Sequence, residues 1–422
     1  MSAGQSTEKS VRLSGDVLQR GLTLPIEAID IADPEYFEHD AAPQVLDRLR
    51  REAPVHFCPT SENGSYWSIT RYEDIRNIEL DVPRFSSADG ITVNQPPSGV
   101  QLSMFIAMDP PRHDEQRRAI LPVLQPKNVR RMEDTIRTRA AAILDSLPVG
   151  ESFDWVDRVS IELTTQMLAT LFDFPFEERR RLTRWSDLIT SGVLRDSPED
   201  VRRKELEGCL AAFQSLWNEK AKSAPGHDLI SMLAHAPATR DMNTRPFELL
   251  GNVILLIVGG NDTTRNSITG GVLALNRAPE QYDKLRRDPS LVTNMVSEII
   301  RWQTPLAHMR RTATQDVQWG GQKIRAGEKV VLWYLAANRD EAVFENGGEF
   351  DIERPNARHH IAFGFGAHRC IGAHLAELQL RVVWEEILKR FEYVEVMEEP
   401  TRTRSSFVRG YTHMPVRVHP YK

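Results

Sequence analysis

The chain has 422 residues, with 53 Lys and Arg against 59 Asp and Glu, giving a formal net charge of -6 and a pI near 6.1. That balance excludes a general nucleic-acid binder, and 41% hydrophobic with 27% charged residues excludes a disordered or fibrous chain. Cys58, Cys209 and Cys370 lie far apart and are odd in number, which gives no disulfide framework and fits a reducing cytoplasm.

Residues 1–21 are polar, lack the apolar core of a signal peptide, and read as a flexible lead-in to a single domain over 22–422. The longest apolar run, Val253 to Val258, falls far short of the ~20 residues that cross a bilayer. No membrane span is expected. Residues 43–53 read as an amphipathic helix, 55–57 and 66–70 as strands separated by Asn63-Gly64, and Tyr72 to Leu80 as a helix. From Phe85 to Met108 the chain carries Gly90, Pro96, Pro97 and Gly99 among scattered apolar residues. Such a long apolar loop inside a domain is a functional candidate. Asp109-Pro110-Pro111 starts a helix, with prolines where a missing N–H is harmless. His113 and Arg117, four apart, share a face of that helix.

Helical periodicity then dominates in segments near 128–146, 156–172, 177–194, 198–221 and 244–277. Residues 319–322, 327–332 and 416–418 read as strands and turns. The pattern predicts one mainly α domain with small β-sheets. Within the 246–276 helix, Gly259-Gly260-Asn261-Asp262-Thr263-Thr264 follows an apolar run. Adjacent glycines inside a helix cost roughly 1 kcal/mol each relative to alanine, and in return let a ligand lie against the backbone. Thr263 can bond back to a carbonyl and open the helix ladder, and an acid beside an alcohol makes a short proton relay.

Near the C-terminal end, Phe363-Gly364-Phe365-Gly366-Ala367-His368-Arg369-Cys370-Ile371-Gly372 is a glycine-punctuated loop leading into a helix from Ala373 to about Phe391. Gly366 and Gly372 allow conformations and close approaches that a side chain would block. Cys370 at the helix N-terminus has its thiolate favoured by unpaired N–H groups. Alone it also reads as a buried core cysteine. The letters Phe363, Gly366, Cys370 and Gly372 resemble the haem-thiolate signature of the cytochrome P-450 family, and recur by chance on the order of 10⁻⁶ per start position.

The resemblance, which runs from about Tyr66 to the C-terminus with the motifs in the family's order, implies the cytochrome P-450 fold: haem lies between the long distal helix and the cysteine-loop helix. It implies haem b (iron protoporphyrin IX) with Cys370 as the axial iron ligand and O₂ as co-substrate. Gly259, Gly260, Phe363, Gly366 and Gly372 would shape the haem site, and His113, Arg117, Arg311 and His368 would meet the haem propionates. Thr263 would steady dioxygen and Asp262 would feed protons. Glu298, Arg301 and Arg354 would form a structural trio on the proximal side.

At finer grain, Leu256 to Ser267, Ile299 to Arg311 and Phe365 to Cys370 resemble bacterial alkane and fatty-acid terminal hydroxylases. That implies a hydrophobic substrate, a [2Fe-2S] ferredoxin and an NAD(P)H-dependent ferredoxin reductase. About fifty residues follow Cys370, so no flavin domain is expected in this chain. Lys127, Arg130, Arg131, Lys389 and Arg390 offer either a basic docking face or a solvated charged surface. The pocket is expected from Ile91, Val93, Met104, Phe105, Leu188, Ile189, Leu256, Gly259, Leu306, Met309, Phe407 and Val408. Arg195, Arg202, Arg203 and Lys204 read equally as carboxylate contacts near a channel mouth or as surface charge. Rival readings are a hydroxylase of terpenoid or steroid rings, a peroxide-driven hydroxylase that the intact Asp262-Thr263 pair disfavours, and a non-catalytic haem sensor.

Overall fold

A helix of 32 residues, Pro246–Arg277, is the axis of the molecule. Pro246 opens it at the first turn, where proline is pre-organised, and apolar residues all round it demand burial on every side. Helices Glu162–Phe172, Arg180–Thr190, Glu199–Lys220, Val292–Gln303 and Ala373–Arg390 pack around it. The computed structural model describes residues 14–94, 102–190 and 197–421. Pro96, Pro97 and Gly99 of the long loop, and residues 191–196 with Arg195, lie outside the described residues.

The expected class is found: mainly α with small sheets. Tyr72–Leu80 is helical as its pattern predicts, and the expected 43–53 helix runs over Ala42–Glu52. Residues 156–172 divide into a π-helical segment Val156–Ile161 and an α-helix Glu162–Phe172. The cysteine-loop helix ends at Arg390, one residue short of Phe391, which begins the strand Phe391–Val396. One expectation fails. Residues 1–13 of the lead-in lie outside the described residues, but 14–21 belong to a helix over 14–23, because Val17 packs into a buried cluster with Tyr36, Val45 and Leu46.

The principal sheet has the strand order Val55–Cys58, Tyr66–Ile69, Lys329–Leu332, Met309–Ala313, Phe85–Ser86. Its first pair is antiparallel with Val55 opposite Ile69, its second parallel, and Met309 lies opposite Leu332 in the next antiparallel pair. Separate apolar clusters cover its two faces, while the helices share one core running from Phe105 to Val418. No helix among the described residues is long and apolar enough to cross a membrane.

Asp40 staples three distant parts of the chain. Its carboxylate takes Arg277 at 3.0 Å, from the last turn of the long helix, with Arg402 at 2.7 Å and Arg409 at 3.0 Å. Its φ of 54° is one that aspartate tolerates better than most residues. Burial alone would raise its pKa, but the three guanidinium groups hold it well below the ordinary carboxylate range. A depressed folded-state pKa gives stability that is full above the unfolded value near 3.9 and is lost progressively as pH falls from there through the folded-state pKa. Asp40→Asn should therefore cost on the order of 2 kcal/mol at pH 7. The gap from wild type should narrow by about 1 kcal/mol at pH 3, measured by urea unfolding at both pH values.

Candidate active site

The cysteine loop is closed by its own backbone. The Cys370 N–H donates to the Phe363 carbonyl at 2.7 Å, and the Arg369 N–H to that of Gly366 at 3.2 Å. Gly366 is held at φ 64°, and a Cβ there would stand 2.7 Å from the Glu79 carbonyl oxygen. Gly372 is different: its φ of -88° suits any residue, and an added Cβ would make an ordinary 3.9 Å contact with the Cys370 Sγ. The sequence-based expectation of a special backbone at Gly372 is thus corrected.

Cys370 is an exposed residue whose surface opens into a cavity of about 1930 Å³. Its exposed surface faces only this recess, and desolvation there pushes its thiol pKa up, against the Gly372 N–H, the charges of Arg117 and Arg369, and the Ala373 N–H. The helix N-terminus acts as the sequence suggests, but desolvation outweighs it. Facing the loop across the cavity are Gly259, Gly260 and Thr263 of the long helix. A Cβ at Gly259 would meet nothing within 4 Å, whereas one at Gly260 would stand 2.7 Å from Leu168 Cδ2. Gly259 leaves open space, and Gly260 also serves packing. The Thr263 hydroxyl donates to the Gly259 carbonyl at 2.7 Å.

Asp262 does not line the cavity among the described residues. It is fully buried, bonded to Arg265 at 2.7 Å, and its Oδ2 has no partner. Arg265 also bonds Asp187 at 2.6 Å, whose side chain is 39% exposed. One guanidinium therefore separates Asp262 from a solvent-facing carboxylate.

His113, Arg117, Arg311 and His368 all line the cavity. The two imidazoles lie 4.2 Å apart, and His113 Nε2 and His368 Nδ1 are buried without partners. Burial pulls both histidines down, and for His368 Arg311, His113 and Arg117 add to it. Arg117 donates to the Arg369 carbonyl, tying its helix to the cysteine loop. Arg311 donates to Glu79 at 2.6 Å, and Glu79 also accepts from the Tyr334 hydroxyl. That Glu79–Tyr334 pair was not legible, since nothing in the Tyr72–Leu80 pattern marks Glu79 as buried. A flat cofactor bearing two carboxylates fits this arrangement: a thiol on one side, open glycine backbone on the other, and unpartnered imidazole nitrogens with cations along the wall.

Glu298, Arg301 and Arg354 come together as predicted. Arg301 makes a bidentate pair with Glu298, both contacts at 2.6 Å, and Arg354 Nε donates to the same carboxylate at 3.2 Å.

Residues 195–412 match the family described as Cytochrome P450. Linalool 8-monooxygenase of Pseudomonas putida is 36% identical, covering 93% of this chain and 99% of its own. Methyl-branched lipid omega-hydroxylase of Mycobacterium tuberculosis is 34% identical, covering 93% and 95%. The solved structure of cytochrome P450-153 from Novosphingobium aromaticivorans is 46% identical with a TM-score of 0.87, covering 92% and 99%. The chain belongs to the cytochrome P450 family. It is a monooxygenase of the haem-thiolate class, which uses dioxygen.

The cavity of this P450 is lined by Ile91, Met104, Phe105, Ile189, Leu256, Leu306, Met309 and Phe407 as expected. Val93, Leu188 and Val408 are buried elsewhere. Val93 joins the cluster under the sheet, and Leu188 sits one helical step round from the lining Ile189. Val408 pairs with Leu306 in an isolated bridge, where alternation turns it away from the face that Phe407 shows. Gly366 shapes the loop without lining the cavity. Arg202 and Arg203 line it and Lys204 does not. Lys389 and Arg390 are paired with Glu386, and Arg390 also with Asp145.

The contrast between the two loop glycines is testable. Gly366→Ala meets both a left-handed φ and a backbone oxygen, and should lose on the order of 2 kcal/mol or more. Gly372→Ala should lose less than half of that, both read from denaturant unfolding of the purified proteins.

Proposed function

We propose that this P450 hydroxylates unactivated C–H bonds of aliphatic chains, chiefly the terminal carbon of medium-chain alkanes or fatty acids. Haem b would be held by Cys370, with electrons from a [2Fe-2S] ferredoxin reduced by an NAD(P)H-dependent reductase. The observation that carries this reading is the wall of the cavity. It presents more apolar than polar surface, with Leu102, Ile189, Leu250, Leu255, Leu256 and Leu306 in it, alongside charged residues that include Glu199, Arg202, Arg203 and Arg404. The relative named an omega-hydroxylase supports attack at a chain end.

Bound haem supplies the activation of dioxygen for insertion into a C–H bond. The chain's residues do the rest. His113, Arg117 and His368 would take the propionates in charge-assisted hydrogen bonds, and Arg311, already bonded to Glu79, would add positive charge beside them. Thr263 would hold a proton at its Oγ, where the Gly259 carbonyl fixes the hydroxyl. Asp262 would pass protons from the Asp187 side after release from Arg265. Lys127, Arg130 and Arg131 are exposed on a helix packed against the cysteine helix, which supports the approach of an acidic ferredoxin there.

A 100:1 preference for the stronger terminal C–H bond takes about 2.7 kcal/mol of discrimination in the transition state beyond the intrinsic bias. A channel that admits a chain end beside the open Gly259 supplies this by shape. A second reading, a terpenoid hydroxylase, is favoured by the linalool 8-monooxygenase relative. It fits the same apolar wall.

Two experiments decide. Ferric protein titrated with C8–C16 alkanes, fatty acids and terpenoids, then supplied with ferredoxin, reductase and NADH, should bind linear chains best and yield terminal alcohols. Mostly internal alcohols, or tighter binding of terpenoids, would sink the proposal. Cys370→Ser should abolish the red-shifted carbon-monoxide band of the reduced protein; persistence of that band would remove Cys370 as the ligand.

A further inference from the structure

Residues 88–92, Asn94 and 102–107, which flank the stretch outside the described residues, form one wall of the cavity, and two side chains from elsewhere in the chain fix them. We propose that His308 and Asn252 are positioning residues that set which substrate carbon is presented for hydroxylation, by pinning the two ends of this wall. The inference builds on the aliphatic-hydroxylase reading above and concerns residues that do not themselves line the cavity.

At the first end, the Val93 N–H donates to His308 Nε2 at 3.2 Å, and His308 Nδ1 lies 3.0 Å from the Ser406 carbonyl. A carbonyl accepts only, so Nδ1 carries the proton. Nε2 receives an N–H, so it carries none. The ring is neutral in a single tautomer. It is fully buried between Trp333, at 4.7 Å, and Phe407, at 5.4 Å, and burial takes its pKa down to about 4. His308 therefore joins the start of the wall to the Ser406–Phe407 segment opposite. The Arg310 N–H adds a backbone bond to the Ile91 carbonyl at 2.8 Å.

At the second end, the Phe105 N–H donates to Asn252 Oδ1 at 2.9 Å. The Asn252 amide is itself fixed, donating to Gln116 Oε1 at 3.2 Å and to the Glu248 carbonyl at 3.1 Å. Next to it, a Cβ on Gly251 would stand 2.2 Å from the Ser103 carbonyl oxygen, so the wall rests directly on the helix backbone. Asn252 precedes Gly259 by seven residues on the same helix. Two turns return to the same face about 10 Å along the axis. The spacing between Phe105 and the open backbone at Gly259 is thus carried by one rigid element, and a shift at Asn252 changes the depth to which a chain enters.

The test uses the holoprotein and three variants. His308→Phe keeps the aromatic stack and deletes both hydrogen bonds. Asn252→Ala deletes the acceptor for Phe105. Gly251→Ala keeps every side-chain bond and displaces the Ser103 carbonyl. In the first two, amide exchange of peptides containing Val93 and Phe105, respectively, should quicken about tenfold. In all three, the terminal-to-internal product ratio should fall at least about threefold with the carbon-monoxide spectrum unchanged. His308→Gln, which restores an acceptor, should recover part of both signals. Unchanged exchange and product ratio would overturn the proposal, as would loss of haem from all three variants, which would mark a merely structural role. If the wild type itself favours internal carbons, the proposed function fails. A variant-induced redistribution of products would still support the two positioning residues.

Discussion

The buried guanidinium of Arg301 fixes the frame on which the cysteine loop hangs. Its five N–H donors are all used: two on Glu298, and three on the Asn338, Gly347 and Glu349 carbonyls. A charge taken fully out of water costs several kcal/mol unless every donor is met, so the meander around 338–354 has one position relative to the Val292–Gln303 helix. Arg354 repeats the constraint from the other side, reaching Glu298 and the Glu349 carbonyl. Nine residues later the chain enters the loop at Phe363. The geometry at Cys370 is inherited from that network rather than made locally.

The two ends of the cavity obey opposite rules. At the Cys370 end, the partnerless His113 and His368 nitrogens and the cations Arg117 and Arg311 form a site whose polar groups are incomplete without an anion. Away from it, aliphatic side chains supply much of the lining, alongside charged residues that include Glu199, Arg202, Arg203 and Arg404. Glu248 takes Arg112, Gln116 and Arg245 behind the wall. Charge dominates at the first end, and the shape of the aliphatic wall matters more beyond it. Shape is set by whatever holds the wall, so residues remote from the ligand matter there.

This division explains what was legible. The cysteine loop, Asp262-Thr263 and Glu298-x-x-Arg301 are short in sequence, and their chemistry is written in adjacent letters. The lining of the apolar end is assembled from segments more than 300 residues apart, and its direction depends on alternation that a bare apolar run does not reveal. Ile189 and Phe407 face the cavity while their neighbours Leu188 and Val408 do not. Glu79 was invisible for a related reason: its partners Arg311 and Tyr334 arrive from a strand and a short helix more than 230 positions away, and a lone glutamate on a short helix reads as solvated.

The strand Met309–Ala313 shows how the two ends are kept in step. Met309 and Arg311 both line the cavity, one at the apolar wall and one among the cations, because side chains two apart share a face. Arg310 points the other way, bonding Thr312, while its backbone holds Ile91. The pairing of Met309 with Leu332 and Arg311 with Val330 fixes this alternation. A slip of one residue would turn Arg310 into the cavity and take Arg311 away from Glu79. Register in a small sheet thus aligns the substrate wall with the cofactor wall, and His308, immediately before the strand, extends the same alignment to the loop.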